Sequence, residues 1–259
     1  MESPPLNRFL HSLGRVQHHL HTVIVGLSAV EKGIATKPDD LDIAWKANDP
    51  VGSARESRRF LLRATLIFLA EELKEYVTRV LRYRALISAS MQIPGDRAQR
   101  IRALCAIDEI DPNYLTVAPL IVTHWRNRII HPNSTARLTE AERQLLISQA
   151  EAVHDSYKAI DVAQLLCDFD LDQPTLKDVT VLLAMSTRFV RHVDSMLPQP
   201  DSSKHVRLWL EAEDMLRDVL ELEKEAANGG APDPRRRAKQ YLMTKAPSIA
   251  EAYHIHGAV

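Results

Sequence analysis

SARESRRFLLRATLIFLAEELKEYVTRVLRYRALIS, residues 53–88, decides the fold. Within it Leu62, Leu66, Leu69, Leu73, Tyr76 and Val80 recur at alternating four- and three-residue steps. That is the period of an α-helix, whose residues at these steps share one stripe that a core or a dimer seam must cover. Ser53 and Glu56 stand at capping-box spacing, so the pattern places the helix start there and its end near Ser88. A strand would need a period of two, and no convincing one occurs in the chain.

The same logic extends outward. Leu10, Leu13, Val16, Leu20, Val23 and Leu27 predict a helix from Leu6 to about Ala35, and the turn formers between Thr36 and Gly52 predict a loop. Pro94 and Gly95 break the pattern before a short helix over 96–107. Asp111-Pro-Asn precedes an apolar run from Tyr114 to Ile130. Thr139 and Glu142 repeat the capping-box spacing and open a long helix to about Asp168. Residues 175–197 and 203–227 predict two further helices, and Asn228-Gly-Gly-Ala-Pro-Asp-Pro predicts a flexible joint to a basic tail from Arg235. We divide the chain into an N-terminal helix and loop (1–52), a helical domain (53–197) and a C-terminal helix with a flexible basic tail (198–259).

Composition agrees with an all-α chain: eight glycines in 259 residues, 5% aromatic and 45% hydrophobic, with much Leu, Ala, Arg and Glu. A net charge of −1 gives no global attraction to nucleic acid or membrane, so such binding would have to come from local arginine clusters. Cys105 and Cys167 lie far apart and lack CxxC spacing, which suggests neither a disulfide framework nor a zinc site and points to reducing cytoplasm. The apolar stretch Thr22–Val30 is too short to span a bilayer, so we expect no membrane segment. We expect no cofactor and no metal.

The chemistry concentrates at His124-Trp-Arg-Asn-Arg-Ile-Ile-His131-Pro132. Asn127 and His131 are four apart and share a helix face, whereas Arg126 lies about 140° around from His131. Convergence needs something more. Pro132 disfavours helical dihedrals at His131 and frees that ring from the helix end; a symmetric second chain is another route. Taken alone, these residues fit helix-end capping and surface hydrogen bonding as well as catalysis.

Arg126-Asn127 followed by Arg128, Ile129, Ile130 and His131 resembles the RX4-6H signature of HEPN domains, with the polar residue that commonly follows the Arg. The resemblance extends over roughly residues 53–197, with Glu71, Glu72 and Glu75 as the acidic patch of the earlier long helix. It implies a HEPN-like up-and-down helical bundle with additional N- and C-terminal helices, and a metal-independent endoribonuclease acting as a homodimer. His131 would then be general base or acid for attack by a ribose 2′-hydroxyl, because imidazole titrates near neutrality. Arg126 would hold the phosphate and Asn127 would orient the histidine or donate to the scissile group. The trio Glu71, Glu72 and Glu75, with Glu72 as the site residue, would polarise His131; an ordinary charged helix face is the other reading of that trio. A toxin or antiphage-defence role follows by family analogy, with a regulatory or antitoxin partner protein. Toxins of this family that pair with nucleotidyltransferases carry a Tyr two residues past the His, where this chain has Asn133. The alternative is a non-catalytic helical dimerisation or interaction module that regulates a partner enzyme.

Other clusters have two readings. Arg55, Arg59 and Arg63 form a basic ridge that, with Arg128, would contact RNA; a solvated helix face explains the ridge equally well. Arg79, Arg82 and Arg84 form a second cluster with the same two readings. His18, His19 and His21 read as a polar helix face, since no Cys or carboxylate stands beside them at ligand spacing. Arg235-Arg-Arg237 reads as a solvated basic segment.

Overall fold

The computed structural model describes the chain except Met1, Ala44, Lys46, Ala47, Ala89, Ser90, Ala159, Gly230, Ala231, Pro232, Pro234, Ala258 and Val259. The described residues form twelve helices and no strand. These are α1 (Pro4–Glu31), α2 (Pro50–Ile87), α3 (Arg97–Ile107), α4 (Tyr114–Ile130), α5 (Glu140–Ser148) and α6 (Ala150–Ser156). They continue as α7 (Val162–Asp170), α8 (Leu176–Ser195), α9 (Ser203–Ala212), α10 (Leu216–Asn228), α11 (Arg235–Lys245) and α12 (Pro247–His256). No described helix is long and apolar enough to cross a membrane.

Two compact units are built from non-contiguous segments. One takes Met1–Leu10, Leu73–Asp111 and Thr187–Val259, the other His11–Glu72 and Pro112–Ser186.

The leucine stripe of α2 is core. In the second unit Leu62, Leu66 and Leu69 are at most 3% exposed, as are Ile121 and Trp125 of α4 and Val179, Leu182 and Met185 of α8. Each such side chain withdrawn from water stabilises the fold by roughly 1.5–3 kcal/mol before entropy is counted. The Phe169 ring of α7 meets Trp125 edge-on at 5.5 Å, an arrangement favoured by the aromatic quadrupole.

At the head of α8, Thr175 and Asp178 cap each other. The Thr175 amide donates to the Asp178 carboxylate at 2.8 Å, and the Asp178 amide donates to the Thr175 hydroxyl at 3.3 Å. Asp178 is 1% exposed, and burial, reinforced by the neighbouring Asp168 carboxyl, pushes it up to about 6. A carboxyl whose folded value is raised above its usual 3.8 favours the fold while protonated, and that advantage is lost as pH rises through the folded value. Asp178→Asn, which mimics the neutral form and keeps the capping acceptor, is therefore expected to stabilise the protein at pH 8 by about 3 kcal/mol. The gain should vanish below pH ~4. Urea titrations across that range check this; a gain independent of pH would refute the assigned protonation.

The other unit anchors the chain's start. The Ser3 amide donates to Asp194 at 3.1 Å and the Ser3 hydroxyl donates to the same carboxylate. The Tyr76 hydroxyl donates to the Val190 carbonyl at 2.9 Å, and Tyr83 stacks on Trp209 with ring centroids 3.8 Å apart. Arg84 pairs with Asp108, whose side chain is 1% exposed.

Several boundaries differ from the sequence reading. α2 starts at Pro50, not Ser53, because the Asp49 carboxylate accepts from the Gly52 amide at 2.9 Å and proline's fixed φ suits a first helical position. Thr139 and Glu142 do form their capping box, but the helix they open ends at Ser148; α6 and α7 follow, and Asp161 caps α7 by accepting from Ala163 N–H. The helix expected over 203–227 divides at Asp214, which takes φ 59° while its carboxylate binds Arg79 at 2.9 Å and Arg82 at 2.7 Å. In place of a flexible tail from Arg235 stand α11 and α12, with Leu242 and Tyr253 buried and the Tyr253 hydroxyl donating to Glu223.

Candidate functional site at the end of α4

Asn113 starts α4 by a reciprocal capping box with Thr116, and the next three turns, Thr116 to Trp125, are buried. From Arg126 onward the helix emerges: Arg126, Asn127 and Arg128 are half-buried and Ile130 is 39% exposed. His131 closes the helix with its amide donating to the Asn127 carbonyl at 2.9 Å, at φ −120° and ψ 90°. The extended backbone is what a residue before proline adopts, and it carries the exposed ring off the helix end. The His131 carbonyl accepts from the Ser134 amide at 2.8 Å, which fixes the turn that follows.

Arg126 is held from two sides. Its guanidinium lies 3.0 Å from a Glu71 carboxylate oxygen on α2 and donates to the Asn127 side-chain carbonyl at 3.3 Å. The acidic partner on α2 is thus Glu71 and not Glu72: consecutive helical residues point about 100° apart, and only one of the two meets α4. Glu75 is occupied by Arg79 of its own helix at 2.7 Å. Asn127 serves Arg126 here, so the site pairs arginine with a carboxylate and an amide and leaves the histidine on the surface.

Arg128 is differently engaged. Its guanidinium lies 4.0 Å from the centre of the Phe169 ring, donates to the Phe169 carbonyl and pairs with Asp172 at 3.0 Å. Burial lowers its pKa, with Asp172 opposing. Arg63 donates to the Asp172 carbonyl at 3.1 Å, and Asp172 has φ 55°, so the two arginines brace the turn between α7 and α8. Cation–π and carbonyl contacts of this kind position a loop; they do not leave the fork of Arg128 open to a phosphate.

Arg55 pairs with Glu31 at 2.9 Å, a carboxylate it shares with Arg58 at 3.0 Å. The Arg55 hydrogen bond, ahead of the other contributions, lowers the Glu31 pKa. Arg59 keeps an exposed side chain with no ion-pair partner among the described residues. Arg79 and Arg82 share Asp214, and Arg84 takes Asp108, so the second arginine cluster meets carboxylates of its own unit. His18, His19 and His21 are exposed, with the first two rings 5.7 Å apart. Among the described residues no group of three or more His, Cys, Asp or Glu is placed to hold a metal ion. Sequence reasoning named Glu71 within the acidic trio but did not foresee its pairing with Arg126, since no local signal distinguishes it from Glu72. Compared with models of known families, with curated proteins and with solved structures, the chain matches none of them.

Proposed function

We propose that the chain is a metal-independent endoribonuclease of the HEPN kind, with a toxin or antiphage-defence role. The observation that carries this reading is the α4 terminus. An exposed His131 on extended backbone follows, within five residues, an arginine oriented by Glu71 and Asn127. His131 takes the proton of a ribose 2′-hydroxyl as its oxygen attacks the adjacent phosphorus. The P–O5′ bond breaks, the products are a 2′,3′-cyclic phosphate and a 5′-hydroxyl, and the departing oxygen receives a proton from a second acid. A homodimer supplies that acid as the same histidine of a second copy. Arg126 meets the charge growing on the phosphoryl oxygens once the phosphate competes for it with Glu71, whose side chain is 40% exposed.

RNA cleavage in excess chelator, with a companion substrate carrying 2′-deoxy at the cut site, tests the reading. Cutting is expected to survive the chelator and to stop on the deoxy substrate. Cleavage of the deoxy substrate, or none of either, would overturn it. The pairing of Arg126 with Glu71 and Asn127 favours a second reading, a helical interaction module regulating a partner enzyme, which an inactive but folded wild type would support.

A further inference from the structure

Arg126 has no open edge. A guanidinium grips a phosphate with two parallel N–H groups on one edge of its planar fork. On the edge made by Nε and Nη2, both nitrogens turn to the same Glu71 oxygen, Nε donating at 3.2 Å and Nη2 standing 3.0 Å away. On the edge made by Nη1 and Nη2, Nη1 donates to the Asn127 side-chain carbonyl at 3.3 Å. Every nitrogen of the fork is engaged by groups of the chain itself, so both edges are shut.

The pair is also asymmetric. The Arg126 side chain is 14% exposed and that of Glu71 is 40% exposed, so the guanidinium is walled in while the carboxylate borders on water. Arg84 and Asp108, in the other unit, have a carboxylate only 1% exposed. A carboxylate enclosed in that way is a permanent part of the core, since leaving its partner strands a buried charge. One at the surface exchanges, because water solvates it as it leaves and solvent-facing pairs are weak. Glu71 is therefore the partner that moves. It is also matched to the ligand it excludes: carboxylate and phosphodiester each carry one negative charge, and the tethered group acts at high effective concentration.

We infer that Glu71 is an autoinhibitory residue that keeps the Arg126 fork from phosphate until a bound strand displaces it. The inference rests on the reading of Arg126 as the phosphate-holding group of the α4 terminus. Glu71 restrains the site and takes no part in the proton transfers. Binding and opening then become one event, since the phosphate that takes the fork releases the carboxylate into water.

Two assays on the full chain test this. Binding of a single-stranded oligodeoxynucleotide, which lacks the 2′-hydroxyl, is read by fluorescence anisotropy, and cleavage of the matching RNA is read as KM and kcat. Glu71→Gln keeps the side chain's length and leaves only the weaker neutral hydrogen bond to Arg126. It is expected to tighten oligodeoxynucleotide binding about tenfold and to lower KM by a similar factor with kcat undiminished. In an Arg126→Ala background the same change should alter affinity by less than about twofold, because no fork remains to be released. Glu71 lies at the surface, so the variant is expected to keep the wild-type circular dichroism, and Glu71→Ala should repeat its effect. The inference is overturned if Glu71→Gln fails to bind more tightly, if its kcat falls, or if the gain persists without Arg126, which would assign it to the general loss of a negative charge. It is equally overturned if neither wild type nor Glu71→Gln binds the oligonucleotide. Tighter binding that depends on Arg126, with no cleavage by any of these chains, keeps the lock and removes the ribonuclease reading. Wild-type cleavage that Glu71→Gln lowers keeps the ribonuclease reading and removes the lock.

Discussion

His131→Ala is expected to reduce RNA cleavage by about 10²–10⁴-fold, the usual contribution of a positioned acid or base. The protein should stay folded. The ring is exposed at a helix terminus, and what fixes the backbone there, the amide bond to Asn127 and the proline that follows, does not involve the side chain. Arg126→Ala is expected to cost about 10²–10³-fold through lost stabilisation of the phosphoryl oxygens. The ion pair itself should contribute about 0–1 kcal/mol, since Glu71 is 40% exposed, and the loss of the Arg126 stem, whose side chain is 14% exposed, adds a packing cost. Arg126→Lys keeps the charge and loses the planar fork that meets Glu71 and Asn127 together, so it should fall between alanine and wild type. Cleavage rates measured beside circular dichroism check all three. Full activity in His131→Ala would remove the mechanism proposed here, and unfolding of that variant would contradict the surface placement of the ring.

Arg84→Ala is expected to be among the most destabilising single changes, at about 3–5 kcal/mol near neutral pH. Its partner Asp108 has a side chain only 1% exposed, and burial already raises the Asp108 pKa against the opposing pull of Arg84. Without the guanidinium the carboxyl moves up further. A group raised in the folded state supports the fold while protonated and withdraws that support as pH rises through its folded value. The deficit relative to wild type should therefore be largest at neutral and alkaline pH and shrink in acid. Arg84→Ala with Asp108→Asn should recover part of the loss by removing the stranded charge. Urea unfolding at pH 5 and pH 8 reads both effects. A deficit independent of pH would show that lost packing of the arginine stem, not a stranded carboxylate, sets the cost.

The helical character of the chain was legible because burial leaves its period in the sequence. Leu62, Leu66 and Leu69 recur at core spacing and are at most 3% exposed. Both ends of α4 were legible for a second reason: Asn113 and Pro132 act on their own neighbours, so their effects are local. Breaks that depend on distant partners were not. Asp214 divides α9 from α10 without a glycine or a proline, and its left-handed backbone accompanies two arginines more than 130 positions earlier in the chain. The joint between α6 and α7 uses Asp161, one of many aspartates that could have served as a cap. At the candidate site the sequence offered Arg126, Asn127 and His131 as a group and an acidic trio for the histidine; that Glu71 meets Arg126 was not legible, because the facing register of two helices is a tertiary property. Arg128 was grouped with the RNA-contacting arginines on charge alone, and its partner ring at Phe169 lies 41 positions away.

Each compact unit also holds one deeply buried indole. Trp125 is fully enclosed beside Phe169 in one unit, and Trp209 is 1% exposed against the Tyr83 ring in the other. Intrinsic fluorescence therefore offers an internal reporter for each half of the molecule. The third indole, Trp45, is half-exposed in the loop between α1 and α2, and Trp45→Phe removes its emission. Replacing one buried indole by phenylalanine as well, in a variant that keeps the wild-type circular dichroism, would leave emission that follows the other unit's unfolding alone.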